Sequence, residues 1–485
     1  MSTSPSATEL RHYLDGRWVH GTGPAIECRS AVDPDRLLAV GRSADTQQID
    51  AAFAAAGKAA GGWAALPMAE RATYLLRAAD QLTGQADTLG AELAVEEGKT
   101  LAEGIAEVHR AAQVLNYVAG EAQREAGSIY HSPRADEQII VGYRPLGVVA
   151  VITPFNFPIA IPAWKIAPAL IYGNTVVFKP ASAVPLLATR LVQALEAAGL
   201  PHGVLNMVLG PGSLGDELLA HPRLRGVSFT GSTEVGRQLC AAGAARGIPV
   251  QAEMGGKNAA VVLADADLEM ACEQVLLGAF RSAGQKCTAT SRLIVDHRVA
   301  DELIEHLCDR LETWVTGDPL AADVHMGPLI DERAARSARD RLARALDSGA
   351  TEVFHGTAPA GKNFLPPTLL EVTNDAVGRA NPAWNEEFFA PVLTIVRVDG
   401  EAQAFAAAND GEYGLSLALF TKDLGAALRA QRSVDVGILH VNSESAGAEV
   451  HVPFGGAKSS GYGPKEQGRA AREFFTHSTT VYLRA

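Results

Sequence analysis

Cysteine is scarce in this chain and has no pattern. The five residues, at positions 28, 240, 272, 287 and 308, form an odd set without CxxC pairs or His-rich spacing. That arrangement suggests neither a disulfide framework nor a metal site, and a reducing cytoplasm is the expected compartment. Positive charge is also in deficit, with 42 Lys and Arg against 55 Asp and Glu and a formal net charge of -13. Phosphate backbones and anionic membranes recruit clustered cations, so neither nucleic acid nor a membrane is an expected partner. The N-terminal stretch MSTSPSATELRHYLDGRW has no basic segment followed by an apolar one. It does not read as a signal peptide and is expected to be partly disordered. An unbroken hydrophobic span is missing too. The most apolar region, residues 147–178, has the length of a membrane helix, but Pro154, Pro158 and Pro162 interrupt it and Asn156 adds a polar group. Each proline removes a backbone donor and jams the preceding turn, so strand, loop, helix, strand is the better reading.

What is present is an alternation. The β-branched runs GVVAVI, NTVVF, GVLNMVL, GVSFT and AAVVLA are separated by Ala/Leu-rich segments such as ATRLVQALEAAGL, a pattern that predicts a parallel, doubly wound sheet covered by helices. After Cys287 a second α/β pattern follows, through SRLIVDH, the helix candidate ADELIEHLCDRLETWV, FLPPTLLEV and PVLTIVRV. With 485 residues, 47% of them apolar, the chain can bury a large core divided among two or three domains.

Four short constellations can carry chemistry. In FTGSTEVG, residues 229–236, a strand ends in Gly231 and Ser232 and a helix begins. Such a junction offers unpaired N–H groups to a phosphate, although a Gly/Ser turn is more often a simple cap. In VVFKPAS, Lys179 sits at the end of a buried strand, where open α/β sheets bind ligands; the plainer reading is a lysine reaching solvent. In QAEMGGKN, Glu253 precedes the pair Gly255 and Gly256, a place for a general base beside a closely approached backbone, or for an ordinary salt-bridged glutamate. In RSAGQKCTATSR, Cys287 lies in a turn with Arg281 and Lys286 near in sequence. A cation or helix end there would favour a thiolate; most isolated cysteines are small buried hydrophobes.

Taken together, PFNFP, KPAS, FTGSTEVG, EMGGKN, GQKC, EEFFAP and PFGGAKSSGYG occur in the order and approximate spacing of the aldehyde dehydrogenase superfamily, which this sequence resembles from about residue 15 to its end. The resemblance implies that Cys287 is the nucleophile, Glu253 the base that activates water, and the Asn156 amide with the Cys287 N–H the oxyanion donors. Lys165 matches a structural and proton-relay lysine. NAD or NADP is the implied cofactor: Ile152, Thr153, Pro154, Phe155, Asn156 and Lys179 line its path and Ser232 meets the pyrophosphate. Glu387 and Phe389 hold the nicotinamide ribose and ring, while Gly231, Gly236 and Met254 complete the set. Two departures stand out. Ala390 replaces a common glycine in EEFFAP, and Ser182 stands where many NAD-specific members carry a glutamate. A carboxylate there would repel a 2′-phosphate, so NADP+ use is expected alongside NAD+.

Within the superfamily, NFPIAIPAWKIAPALIYGN and the segment around PFGGAKSSGYG are most similar to bacterial semialdehyde dehydrogenases, the α-ketoglutarate semialdehyde group in particular. Arg281 matches an arginine that grips a substrate carboxylate in related enzymes, but Trp164 stands at the place of its usual second arginine. An aldehyde bearing a carboxylate is therefore expected. The alternatives are a neutral aliphatic or aromatic aldehyde held by Phe157, Trp164 and Phe454, and a non-catalytic structural member. The resemblance implies an aldehyde dehydrogenase-like α/β fold with two doubly wound α/β domains and a β oligomerisation arm. The expected cofactor-binding domain is 1–126 with 146–254, the catalytic domain 255–465, and the arm 127–145 with 466–485. STTVYL reads as an exposed edge strand that would pair with another chain, giving a homodimer or homotetramer.

Overall fold

The β-branched runs become strands buried on both faces, and they assemble into two large sheets whose ends meet. The computed structural model describes residues 7–484. The first sheet has eight strands in the order Gly461–Tyr462, Val250–Glu253, Leu224–Thr230, Val148–Ile152, Thr175–Lys179, Leu205–Met207, His12–Leu14 and Arg17–Val19. The strands from Val250–Glu253 to Leu205–Met207 are parallel. Their helices cover both faces, which is why the strands read as nearly continuous apolar runs rather than as alternation. The parallel winding starts at Val148–Ile152, runs outward through Thr175–Lys179 to Leu205–Met207, then returns to lay Leu224–Thr230 on the other side of its starting strand. That reversal opens a crevice at the carboxyl ends of Val148–Ile152 and Leu224–Thr230, the place where doubly wound sheets bind ligands.

The second sheet has seven strands, in the order Thr351–His355, Thr368–Glu371, Val392–Val398, Thr290–Asp296, Asn258–Val262, Ser416–Phe420 and Ile438–Val441. Here the sequence reading needs correcting. The run AAVVLA does not extend the first sheet: Asn258–Val262 pairs in parallel with Thr290–Asp296 and Ser416–Phe420. The reason is a short crossing. Glu253 ends one sheet and Asn258 begins the other, and the intervening glycines pass where no side chain fits. A Cβ on Gly255 would lie 2.3 Å from Glu387 Oε2, and one on Gly256 would lie 2.7 Å from the Cys287 carbonyl.

A third sheet is a meander of Thr476–Arg484, Glu137–Pro145 and Gly127–Tyr130, all antiparallel. Thr476–Arg484 is an edge strand, as the alternation in STTVYL predicted, and Val481, Tyr482 and Leu483 are exposed along it. The N-terminal expectation holds less well. Residues 1–6 lie outside the described residues, but Thr8–Glu9, His12–Leu14 and Arg17–Val19 form strands, the last two completing the first sheet. Buried Leu10 and Tyr13 anchor them in the core. Gly461–Tyr462, expected within the second α/β unit, pairs instead with Val250–Glu253. Among the described residues no helix is long and apolar enough to cross a membrane.

Candidate active site

Cys287 sits where the two sheets face each other, on a loop held in an unusual conformation. Helix Leu268–Phe280 ends in a turn where Ser282, Ala283 and Gly284 all have positive φ, at 54°, 53° and 69°. Two consecutive non-glycine residues in the left-handed region cost about 1–2 kcal/mol each, so the surrounding contacts must impose the turn. Gln285 supplies some of them: its Oε1 accepts from Ile330 N at 2.9 Å and its backbone carbonyl accepts from Asn156 Nδ2 at 2.9 Å. Asn258 Nδ2 donates to the Cys287 carbonyl at 2.8 Å. The loop is thus fixed on both sides of the thiol. Burial, reinforced by Glu253, Glu387 and Glu466, raises the thiol to about 12, so at rest it is protonated.

Asn156 is held by its backbone as well as its side chain. It lies between Val148–Ile152 and helix Ala160–Ile171, and its carbonyl accepts from Lys99 Nζ. Lys99 is 2% exposed, donates to Glu107 Oε2 at 2.7 Å, and stands 3.7 Å from the Phe157 ring centroid. Glu107 Oε1 in turn accepts from Ile159 N and Ala160 N. One buried ion pair therefore clamps the loop that carries Asn156, and one Nδ2 hydrogen remains for an oxyanion. Lys99→Met should lower the unfolding free energy by about 3–5 kcal/mol in chemical denaturation, because Glu107 would be left as an uncompensated buried charge.

Glu253 ends its strand buried, with Oε2 accepting from Gly456 N at 3.2 Å. Burial and then Glu466 raise its carboxyl well above the ordinary range, while Lys165 and Lys465 act against them. Its charge is felt at Cys287, yet the structure does not place Glu253 on the wall of either cavity described below. Lys165 likewise stays behind the site: it donates to Glu466 and, at 3.1 Å, to Ser228 Oγ.

Cys287 lines two cavities. The larger, about 920 Å³, runs along the carboxyl ends of the first sheet, past Ile152, Thr153, Pro154, Phe155, Asn156 and Lys179. Gly231, Ser232, Met254, Glu387 and Phe389 also line it, so most of the expected cofactor residues stand together in one cleft. Ser232 caps helix Thr233–Arg246, its side chain accepting from Val235 N, and the turn before the helix faces the cleft. The fit to a dinucleotide rests on polar groups left over. Among the described residues the hydroxyls of Thr153 and Thr230 have no partner, and Lys179 Nζ reaches only the Pro180 carbonyl at 3.4 Å. Burial lowers Lys179 to about 8 and raises Glu387 to about 7, the latter despite a 3.0 Å bond from Gly256 N. Phe389, at φ 53°, stands edge-on to Phe155 with centroids 5.8 Å apart; Ala390 behind it is buried.

Two expected cofactor residues fall outside the lining. Ser182 lies beside it and donates to the Gly210 carbonyl at 2.7 Å, while Gly236 faces Met254, whose Sδ would lie 2.4 Å from an added Cβ. Gly236 serves helix-to-strand packing. Arg333 and Arg341, both from helix Glu332–Asp347, line the cleft unanticipated.

The smaller cavity, about 220 Å³, contains every expected substrate residue: Arg281, Phe157, Trp164 and Phe454. Trp164 and Phe454 pack at 5.8 Å between centroids. Charges the sequence reading missed also line it, among them Glu103, Glu107 and Arg110 from helix Leu101–Ala119. Their spacing, three and four apart, puts them on one helix face, the signal that was there to be read.

A model of the aldehyde dehydrogenase family matches residues 18–481. An α-ketoglutaric semialdehyde dehydrogenase of Bacillus subtilis is 38% identical, with 100% of both chains covered. An NADP+ succinate-semialdehyde dehydrogenase of Escherichia coli is 38% identical over 93% of each chain. A crystal structure described as an E. coli NADP dependent enzyme superimposes with a TM-score of 0.94 at 35% identity, covering 99% of this chain and 98% of that one. Motifs, sheet order and full-length likeness agree: this chain belongs to the aldehyde dehydrogenase family, whose members oxidise aldehydes with NAD(P)+.

Proposed function

We propose that this enzyme oxidises a short aldehyde bearing a carboxylate at its far end, a semialdehyde acid, to the corresponding diacid, accepting NADP+ as well as NAD+. The observation that carries the reading is that Cys287 lines both the dinucleotide-sized cleft and a smaller cavity that combines aromatic and charged walls. The relatives named for semialdehydes support it.

Cys287 sulfur, once deprotonated, attacks the aldehyde carbon, and the oxyanion is met by Asn156 Nδ2 and the Cys287 N–H. Bound NAD(P)+ supplies the hydride acceptor. Loss of hydride from the carbon leaves an acyl thioester on Cys287. Glu253 then takes a proton from water, the hydroxide adds to the thioester carbon, and collapse releases the acid and the thiolate. Ile152 to Asn156, Lys179, Ser232, Glu387 and Phe389 hold the cofactor, and Lys165 orients Glu466 behind Glu253. In this reading the first sheet and its helices form the cofactor domain and the second the catalytic domain. The free edge of Thr476–Arg484 makes the chain a homodimer or homotetramer, acting in the cytoplasm.

The test is a substrate panel of charged and neutral aldehydes of equal length, run with NAD+ and NADP+ separately. A higher kcat/KM for the charged member is expected; equal values would favour neutral aldehydes seated on Phe157, Trp164 and Phe454. For the cofactor, Ser182→Glu should weaken NADP+ selectively by about 1–3 kcal/mol, read from the ratio of Kd values, because it brings a negative charge toward a 2′-phosphate. Equal weakening of both cofactors would show that Ser182 does not face that phosphate.

A further inference from the structure

Ser282 opens the strained stretch before Cys287, at φ 54°, and one of the contacts that holds it comes from a residue 179 positions earlier. Its Oγ donates to Glu103 Oε1 at 2.9 Å, and the Arg281 guanidinium lies 3.6 Å from the same oxygen. Glu103 Oε2 is anchored nearer home. It accepts from Thr100 Oγ1 at 2.9 Å and from Thr100 N at 3.2 Å, closing the capping box that starts helix Leu101–Ala119. One carboxylate thus spans from the first turn of this helix to the turn that precedes the nucleophile. Its side chain is 10% exposed. Burial opposes its charge, yet Lys286, Lys99 and Arg281 hold the carboxyl below the ordinary glutamate value.

The helix is a firm base for such a tie. A Cβ on Gly104 would lie 2.5 Å from the Gly90 carbonyl, so its backbone rests directly on helix Ala86–Glu97. One turn after Glu103, Glu107 accepts from Ile159 N and Ala160 N and pairs with Lys99, which holds the Asn156 carbonyl. Residues four apart share a helix face. We infer that Glu103 is a positioning residue of the reaction: it ties the Cys287 loop to the helix face that already holds the Asn156 loop, so that nucleophile and oxyanion donor are set from one element. The inference goes beyond the choice of substrate, because it applies to any aldehyde that Cys287 attacks.

The test is single-turnover kinetics with enzyme in excess over aldehyde and NADP+ saturating, where the rate of NADPH formation reports attack and hydride transfer alone. Succinate semialdehyde and butanal are each run with wild type, Glu103→Ala, Glu103→Gln, Ser282→Ala and the Glu103→Ala/Ser282→Ala double variant. Glu103→Ala should slow both aldehydes equally, by about tenfold, with the Kd for NADPH unchanged. A loss confined to folding would lower the number of competent sites without changing this rate. Glu103→Gln keeps an acceptor oxygen for Ser282 and should recover part of the decrease. Ser282→Ala, which leaves the helix cap intact, should slow both aldehydes by a smaller factor, and the double variant should be no slower than Glu103→Ala, as expected of residues that act as a unit. Slowing of succinate semialdehyde alone would make Glu103 a substrate contact, and multiplied effects in the double variant would show that the two residues act separately. Either result overturns the inference, as would an unchanged rate, and none of them alters which aldehyde the wild type prefers.

Discussion

Cys287→Ala abolishes aldehyde oxidation while NAD(P)+ binding persists. The variant lacks the only thiol shared by the two cavities, and no other cysteine can take its place: Cys28 and Cys272 are buried in the cores, and Cys240 and Cys308 line neither cavity. The dinucleotide cleft, by contrast, is built from the ends of several strands and from several helices, and loses a single wall atom. Fluorescence titration with NADPH should therefore give a Kd close to that of the wild type. Turnover above background in the purified variant would remove Cys287 from the mechanism.

Glu253→Gln separates the two halves of the reaction. Hydride transfer does not require Glu253, so mixing the variant with aldehyde and cofactor should give a burst of NAD(P)H near one equivalent per site. The steady state that follows should be slower by about 10²–10⁴, the usual contribution of a general base. The pH profile carries a second signature. A base must be deprotonated to act, and burial raises the Glu253 carboxyl. Wild-type deacylation is therefore fully present above that raised pKa and lost as pH falls through it. Glutamine cannot titrate, so this acid limb should vanish. A wild-type steady state in the variant would show that another group activates the water.

Much of this site was legible because its residues lie in short contiguous motifs at the ends of strands. Ile152 ends one strand and Thr153 to Asn156 follow it, Lys179 ends the next and Cys287 precedes another, so a run of apolar β-branched residues beside a small polar cluster announced each. The charged wall was not legible in the same way. Glu103, Glu107 and Arg110 lie in an Ala-rich helix where alternating charge ordinarily marks a solvated face, and only tertiary packing buries Glu107 against Lys99. Arg281 stands on the cavity wall, but its surroundings could not be read, since Glu444 reaches it from a loop 163 positions away in a different part of the chain. The short strands at the N-terminus escaped notice because strands of two or three residues carry too few side chains to set a period.

The pairing of Lys165 with Glu466 has a consequence for how the enzyme comes into being. These partners are 301 residues apart in the chain, as are Asn174 and the Phe475 carbonyl that its side chain holds. Closing so long a loop depends on residues 165–475 all having left the ribosome, and folds dominated by such distant contacts mature late. Before residues 456–466 are made, Cys287 has already been added to the chain, but Glu253 lacks Gly456, Lys465 and Glu466 around it. The nascent protein thus holds a nucleophile without the machinery to release what it captures. An aldehyde that adds to the thiol at that stage, with no oriented cofactor to accept hydride, can leave again only by the way it came. Arrival of the segment that carries Gly456, Lys465 and Glu466 is in this sense the step that turns a reactive thiol into an enzyme.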